Sequence, residues 1–247
     1  MQTIFPSAGG ELDLFDLAKA YAYPRERWVR ANMVTSADGA AYVDGRSTGL
    51  SGPDDKRIFG VLRALADVVL VGAGTARAEE YRPALRRPSL ASLRAGRPET
   101  PAIALVTRSL GLNLASSLFT DTPPDARTIV ITCAASDAGL RARTAKVADV
   151  IVAGEESVDL AAALKELKAR SMSRVLCEGG PRLLGDLAAA GLLSELCLSV
   201  GPTLAGPGAS RVIAGQPLPA RPMTLEHVLA GEDGFLFLRY FTQEQDQ

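Results

Sequence analysis

From Trp28 onward, short apolar and β-branched runs alternate with stretches whose apolar positions recur every three to four residues. The runs are WVRANMVT (28–35), DVVLVG (67–72), AIALVT (102–107), TIVITC (128–133), DVIVAG (149–154), RVLCEG (174–179) and ELCLSV (195–200). Runs of this length that stay apolar read as strands covered on both faces, and the helical stretches between them read as βα units around a largely parallel sheet. Pro53 suits a first helical position, and Ile58, Val61, Leu62 and Leu65 carry the helical spacing to Ala66. Asp159 caps a second helix with Leu160, Ala163, Leu164 and Leu167 on one face, and Pro181 opens a third running to about Ala190. LEHVLAGEDGFLFLRYF breaks the alternation. Its two apolar stretches, joined by Gly231-Glu232-Asp233-Gly234, predict an antiparallel hairpin closing the sheet's edge.

Residues 82–100, rich in proline and arginine (Arg82, Arg86, Arg87, Arg94, Arg97), have no clear period. They read as a solvated loop or as a mobile basic flap beside an anionic ligand. With no internal repeat and no shift in composition, the pattern predicts one domain over 28–247 behind an N-terminal extension, 1–27.

Composition narrows the function classes. The 247 residues carry 27 Lys+Arg against 28 Asp+Glu, a net charge of −1, which gives no electrostatic reason to expect nucleic acid or an anionic membrane as partner. No apolar run approaches the roughly 20 residues of a membrane span, and Met1 to Gly10 does not resemble a signal peptide. A cytoplasmic protein is expected. Cys133, Cys177 and Cys197 stand singly in apolar contexts without a CxxC or Cys/His pair, so buried thiols are expected and a metal site is not. The one histidine, His227, lies among apolar residues and reads as structural.

In open parallel sheets, ligands bind beyond the carboxyl ends of the strands, where helix N-termini present free N–H groups. Glycines cluster there: Gly72 and Gly74 after DVVLV, Gly154 after DVIVA, and Gly179-Gly180 before Pro181. A nucleotide is the ligand class these turns suggest. The G-x-G-x-x-G fingerprint is absent, because Arg77 stands where its third glycine belongs. Two acids belong to the same edge, Asp38 after the first strand and Glu178 at the end of RVLC. The former also suits a turn and the latter a helix cap.

These residues carry a resemblance. SADG (36–39), the S-x-x-x-S-G-P segment 47–53, GAGTARAEEYRP (72–83), VTRS (106–109), EGGPRLLGDL (178–187) and ELCLSVGPTLAG (195–206) occur in an order that resembles the pyrimidine reductases of riboflavin biosynthesis, the RibD C-terminal domain, in particular stand-alone actinobacterial-type members. The resemblance implies a three-layer α/β fold like that of dihydrofolate reductase, its mostly parallel sheet ending in the antiparallel hairpin. It implies NADPH as cofactor, a phosphorylated ribosylaminopyrimidine as substrate, and a homodimer. It places NADPH on Gly74, Thr75, Thr107, Arg108, Gly179, Gly180, Pro181, Arg182, Leu183 and Leu184. It places substrate near Asn32, Ser47, Arg63, Arg86 and Glu178, with Asp38 and Glu178 as candidate catalytic groups. Arg108 suits an adenosine 2′-phosphate, and Arg63 or the arginines of 82–100 suit a ribose phosphate. Two departures stand out: Asn32 where the family often has lysine, and Ser47-Thr48-Gly49-Leu50-Ser51 without the family's tryptophan. The zinc deaminase signature often fused to this domain is absent. Two other functions remain open: a dihydrofolate or pterin reductase, for which Asp54 or Asp55 would supply the carboxylate, and a non-catalytic nucleotide-binding protein.

Overall fold

The computed structural model describes residues 1–243; residues 244–247, the end of the expected domain, lie outside the described residues. In chain order the elements are β1 (Gln2–Phe5), α1 (Leu14–Ala20), β2 (Trp28–Ser36), α2 (Pro53–Leu65), β3 (Val68–Gly72), α3 (Ala73–Ala78), β4 (Ala102–Val106), α4 (Ser117–Thr120), β5 (Ile129–Thr132), α5 (Ala138–Thr144), β6 (Asp149–Val152), α6 (Leu160–Ala169), β7 (Arg174–Cys177), α7 (Pro181–Ala189), β8 (Glu195–Gly201), β9 (Met223–Ala230) and β10 (Leu236–Thr242). They build one sheet in the order β1-β9-β10-β8-β2-β7-β3-β4-β5-β6. From β8 to β6 every pairing is parallel, while β10, β9 and β1 join antiparallel.

The apolar runs form strands because both faces of the sheet are covered. In β3, Val69 and Val71 join the core under α1 and α2, while Val68 and Leu70 join the opposite core under α6 and α7. The helix starts lie where the sequence signals put them: Pro53 opens α2, Pro181 opens α7, and the Asp159 side chain accepts from the Ala162 N–H at 3.0 Å. The expected hairpin is β9–β10, but it does not close the sheet's edge. That place belongs to β1, from the segment read as an extension; α1 packs Leu17 and Ala18 into the main core.

A buried ionic cluster ties this N-terminal segment to the strands. Glu195, on β8, accepts from Arg30 Nε and Arg239 Nε at 2.7 Å each and from Trp28 Nε1 at 2.6 Å. Arg239 also donates to the carbonyls of Ala20 and Ala22 just past α1. Burial works to raise the Glu195 carboxyl, but Arg30 and Arg239 overcome it and hold the group below its usual range.

His227, on β9, meets the Tyr21 ring edge-on at 4.9 Å, and its Nε2 is buried without a partner. Burial, with Arg239 nearby, pushes its pKa down to about 4. As pH falls below 6.5 the unfolded chain takes up this proton before the folded one does, so the neutral histidine's contribution to stability is lost between pH 6.5 and 4. Because the chain has a single histidine, one imidazole NMR resonance reads this directly. Its midpoint is expected near 4, and a midpoint near 6.5 would contradict the packing described.

Candidate active site

The strands deliver the predicted site residues to one end of the sheet. Glu178 follows β7, and its side chain lies on the face toward α2, as Leu176 does. Arg63 of α2 clasps it bidentately, with Nε to Oε1 and Nη2 to Oε2 both at 2.7 Å. Tyr81 OH donates to Oε2, also at 2.7 Å. Burial alone would weaken the Arg63 guanidinium's hold on its proton, but the carboxylate more than offsets this, and the group binds its proton more tightly than a free arginine. Glu178 therefore does not cap α7, whose N-cap Gly180 receives no side-chain bond.

Asn32 lies on β2 beside β7, with Ala31 in register with Cys177, and strand alternation puts its side chain on the same face as Glu178. Its Oδ1 is buried and has no partner. Buried amide oxygens usually accept a hydrogen bond, and this one lies on the face that carries Glu178.

One residue beyond Glu178 the backbone turns sharply. Gly179 sits at φ 88°, the Gly179–Gly180 peptide is cis, and the Gly179 carbonyl accepts from Gly72 N at 2.9 Å. A Cβ at Gly180 would fall 2.2 Å from Thr75 Oγ1, so this turn lies hard against α3 and any larger residue would force Thr75 to shift. Gly74 on the same helix has open space around it. With no side chain capping α7, its first N–H groups beyond Pro181 are open to an anion. Arg108 and Arg182 are exposed and unpartnered among the described residues, whereas Thr107 is buried, its Oγ1 accepting from Leu110 N at 3.1 Å. These groups fit a dinucleotide's phosphates: backbone donors at a helix start, a glycine cradle and two free guanidiniums.

Other expected positions resolve differently. Leu184, within α7, is fully buried, and its N–H already bonds the Gly180 carbonyl at 3.1 Å. Leu183 is likewise buried by its side chain and can offer only backbone. Ser47 sits in a 3₁₀ turn, its N–H held by Glu79 Oε1 at 2.7 Å. Asp38 accepts from Ser36 Oγ and from the N–H groups of Ala205 (3.1 Å) and Gly206 (2.8 Å), fastening the 203–206 loop to the end of β2. The Ser36 hydroxyl foremost, with those two amides, brings its pKa down to about 2. The geometry makes it an anchor of that loop, ionised near neutrality.

The 82–100 stretch is more ordered than a solvated loop. Pro88–Arg94 forms a 3₁₀ helix, and Arg94 and Arg97 donate to carbonyls at the carboxyl end of α2. Between this segment and α2 lies a cavity of about 240 Å³ that brings Arg63 and Arg86 together on its wall. Arg86 pairs with Glu99 at 3.1 Å. Arg87 lies flat on α2 at Gly60, where a Cβ would sit 2.8 Å from its Cζ, and it has no acceptor among the described residues. Arg87 is one of the arginines of 82–100 expected to suit a phosphate, whereas Tyr81 was not singled out. Both stood in quoted segments, but no spacing distinguishes them from neighbouring arginines or aromatics.

The fold and these residues define an α/β domain with a candidate ligand site at the carboxyl ends of its parallel strands. A family model described as the RibD C-terminal domain matches residues 27–237, and the chain belongs to that family. A curated relative from Archaeoglobus fulgidus, named a 2,5-diamino-6-ribosylamino-4(3H)-pyrimidinone 5′-phosphate reductase, is 30% identical over 182 residues, covering 72% of this chain and 82% of its own. A relative of the same name from Methanothermobacter thermautotrophicus is 26% identical, covering 72% and 79%. Among solved structures, a pyrimidine reductase-like protein from Corynebacterium diphtheriae superposes with a TM-score of 0.83 at 28% identity, covering 93% of this chain and 99% of that one. The protein is an oxidoreductase of the riboflavin-pathway reductase type. Among the described residues no helix is long and apolar enough to cross a membrane.

Proposed function

We propose that this protein reduces the ribosylamino group of a 5-amino-6-(5-phosphoribosylamino)pyrimidine to ribitylamino, with NADPH as hydride donor and the 2-amino pyrimidine named for its archaeal relatives as substrate. The observation that carries this reading is the adjacency, at the end of β7, of a buried carboxylate to a glycine turn pressed on α3. The candidate substrate group directly precedes the glycine turn that would cradle the cofactor.

NADPH, when bound, supplies the hydride; Gly74, Thr75, Thr107, Gly179, Gly180, the first amides of α7 and Arg108 would hold it. Glu178 and the orphaned Asn32 Oδ1 accept from the substrate's N–H or O–H groups and orient it. Arg87 receives the ribose phosphate, joined by Arg86 when its exposed pair with Glu99 opens, since Arg63 is held by the buried Glu178. The sugar ring opens to an imine before its C1 accepts hydride, and the proton for the amine nitrogen comes from water. Holding the reacting atoms in place can contribute on the order of 7 kcal/mol, more than one acid group supplies.

In the pterin reading, the carboxylate on α2 would be needed for substrate. Asp55 instead spends its oxygens on Ser51 Oγ and on Ser199 Oγ, the latter at 2.6 Å, and Asp54 pairs with Arg57. Cofactor oxidation dependent on the phosphorylated pyrimidine, and absent with dihydrofolate, is the expected assay result; the reverse would overturn the proposal.

NADPH is expected to bind at least tenfold more tightly than NADH, and Arg108→Ala to remove most of that difference, because a bidentate guanidinium–phosphate contact is lost. Calorimetric titration of both proteins with both cofactors checks this. Equal affinities in the unsubstituted protein would remove Arg108 from the site.

A further inference from the structure

The Glu178 carboxylate has two oxygens and about four acceptor positions. Arg63 Nε occupies one on Oε1, while Arg63 Nη2 and Tyr81 OH occupy both on Oε2, all at 2.7 Å. One position remains, on Oε1. Arg63 is fixed in turn, its Cζ 4.3 Å from the Phe59 ring centroid and 5.6 Å from that of Tyr81.

Tyr81 reaches Glu178 because of how α3 ends. Glu80 adopts φ 52°, Glu80 N bonds Arg77 O at 3.3 Å, and Tyr81 N reaches back to Ala76 O at 2.8 Å, a helix-ending pattern usually built on glycine. The reversal turns the phenol under β7. Thus the short helix that sets Thr75 against Gly180 also ends in the hydroxyl that fills Oε2 of Glu178. Burial, and then Glu178 itself, keeps the phenol protonated well above its ordinary value, so it acts only as a donor.

We infer that Tyr81 is a positioning residue for substrate: by filling Oε2 of Glu178 together with Arg63, it leaves a single acceptor, on Oε1, to bind one N–H or O–H group of the pyrimidine ribosylamine in one orientation. This rests on the proposed reductase activity and deepens it. Glu178 without Tyr81 has a free position on each oxygen and holds substrate in two ways, of which one presents the reacting carbon.

Tyr81→Phe keeps the ring and its packing and deletes the one donor. Its kcat for the phosphorylated pyrimidine is expected to fall about tenfold, with KM changed less than threefold and NADPH affinity, read by titration, unchanged. In a Glu178→Gln background, the same substitution is expected to change kcat less than twofold, because the group it acts through is already altered. A Tyr81→Phe protein that melts lower but keeps wild-type kcat would overturn the inference and leave the phenol a packing group. So would a fall in NADPH affinity accompanying the loss, which would route the effect through α3, or a full tenfold effect that persists in the Glu178→Gln background. Failure of the unsubstituted protein to turn over the pyrimidine would overturn the reductase reading and this inference with it, whereas an active parent with an unaffected Tyr81→Phe overturns this inference alone.

Discussion

Replacing Glu195 by alanine is expected to lower the melting temperature by roughly 6–20 °C, the largest stability effect expected of any single substitution described here. The carboxylate is fully buried between two guanidiniums that are themselves 0% and 5% exposed. Removing it leaves two cations facing each other in the core with a hydrogen-bond vacancy at each, and breaking a buried ion pair from one side costs about 3–5 kcal/mol. That is a large fraction of the total stability of an ordinary domain. The damage should spread to the amino-terminal segment, since Arg239 also holds the Ala20 and Ala22 carbonyls. Thermal melting with limited proteolysis of the first 27 residues would show it. A mutant within about 1 kcal/mol of wild type, with its amino terminus still protected, would mean that the cluster contributes little to the fold.

Glu178→Ala is expected to have the largest effect on activity. Losing a charged acceptor for the substrate should lower kcat/KM for the pyrimidine about 10- to 150-fold, with NADPH affinity little changed. The structure adds a stability cost that a helix-cap role would not produce, because Arg63 and Tyr81 both lose their partner. Arg63 keeps some exposure, 18% of its side chain, and can turn toward water, so this cost should fall at the lower end for a broken ion pair, about 3 kcal/mol. Steady-state kinetics and melting on the one mutant read both. A folded mutant with an unchanged specificity constant would move substrate recognition away from Glu178, toward Asn32 and the arginines around the cavity.

The sheet was legible in the sequence because strands covered on both faces read as unbroken apolar runs, and because Pro53, Asp159 and Pro181 mark helix starts through local chemistry alone. β1 was not. Its residues Gln2–Phe5 form an edge strand that is mostly exposed, so burial imposes no pattern on them. The ionic cluster left a signal that could have been used, since Arg30 and Arg239 interrupt otherwise apolar runs and Glu195 opens one, and a charge there calls for a partner from another strand. At the candidate site, sequence gave the strand-end location of Glu178 and the glycine turn. It could not show that Arg63 and Glu178, both assigned to substrate, bind each other, since 115 positions separate them. Nor could it separate backbone from side chain at Leu184, or show that Asp38 is spent on amides more than 160 residues away.

Transfer of a label tests the central claim most directly. With NADPH deuterated at the transferable position and the phosphorylated ribosylaminopyrimidine as substrate, mass spectrometry of the product should find one deuterium, on the C1 carbon of the new ribityl chain. A product without deuterium, or oxidation of the cofactor that proceeds equally without the pyrimidine, would contradict the assignment of this site to ribosylamine reduction.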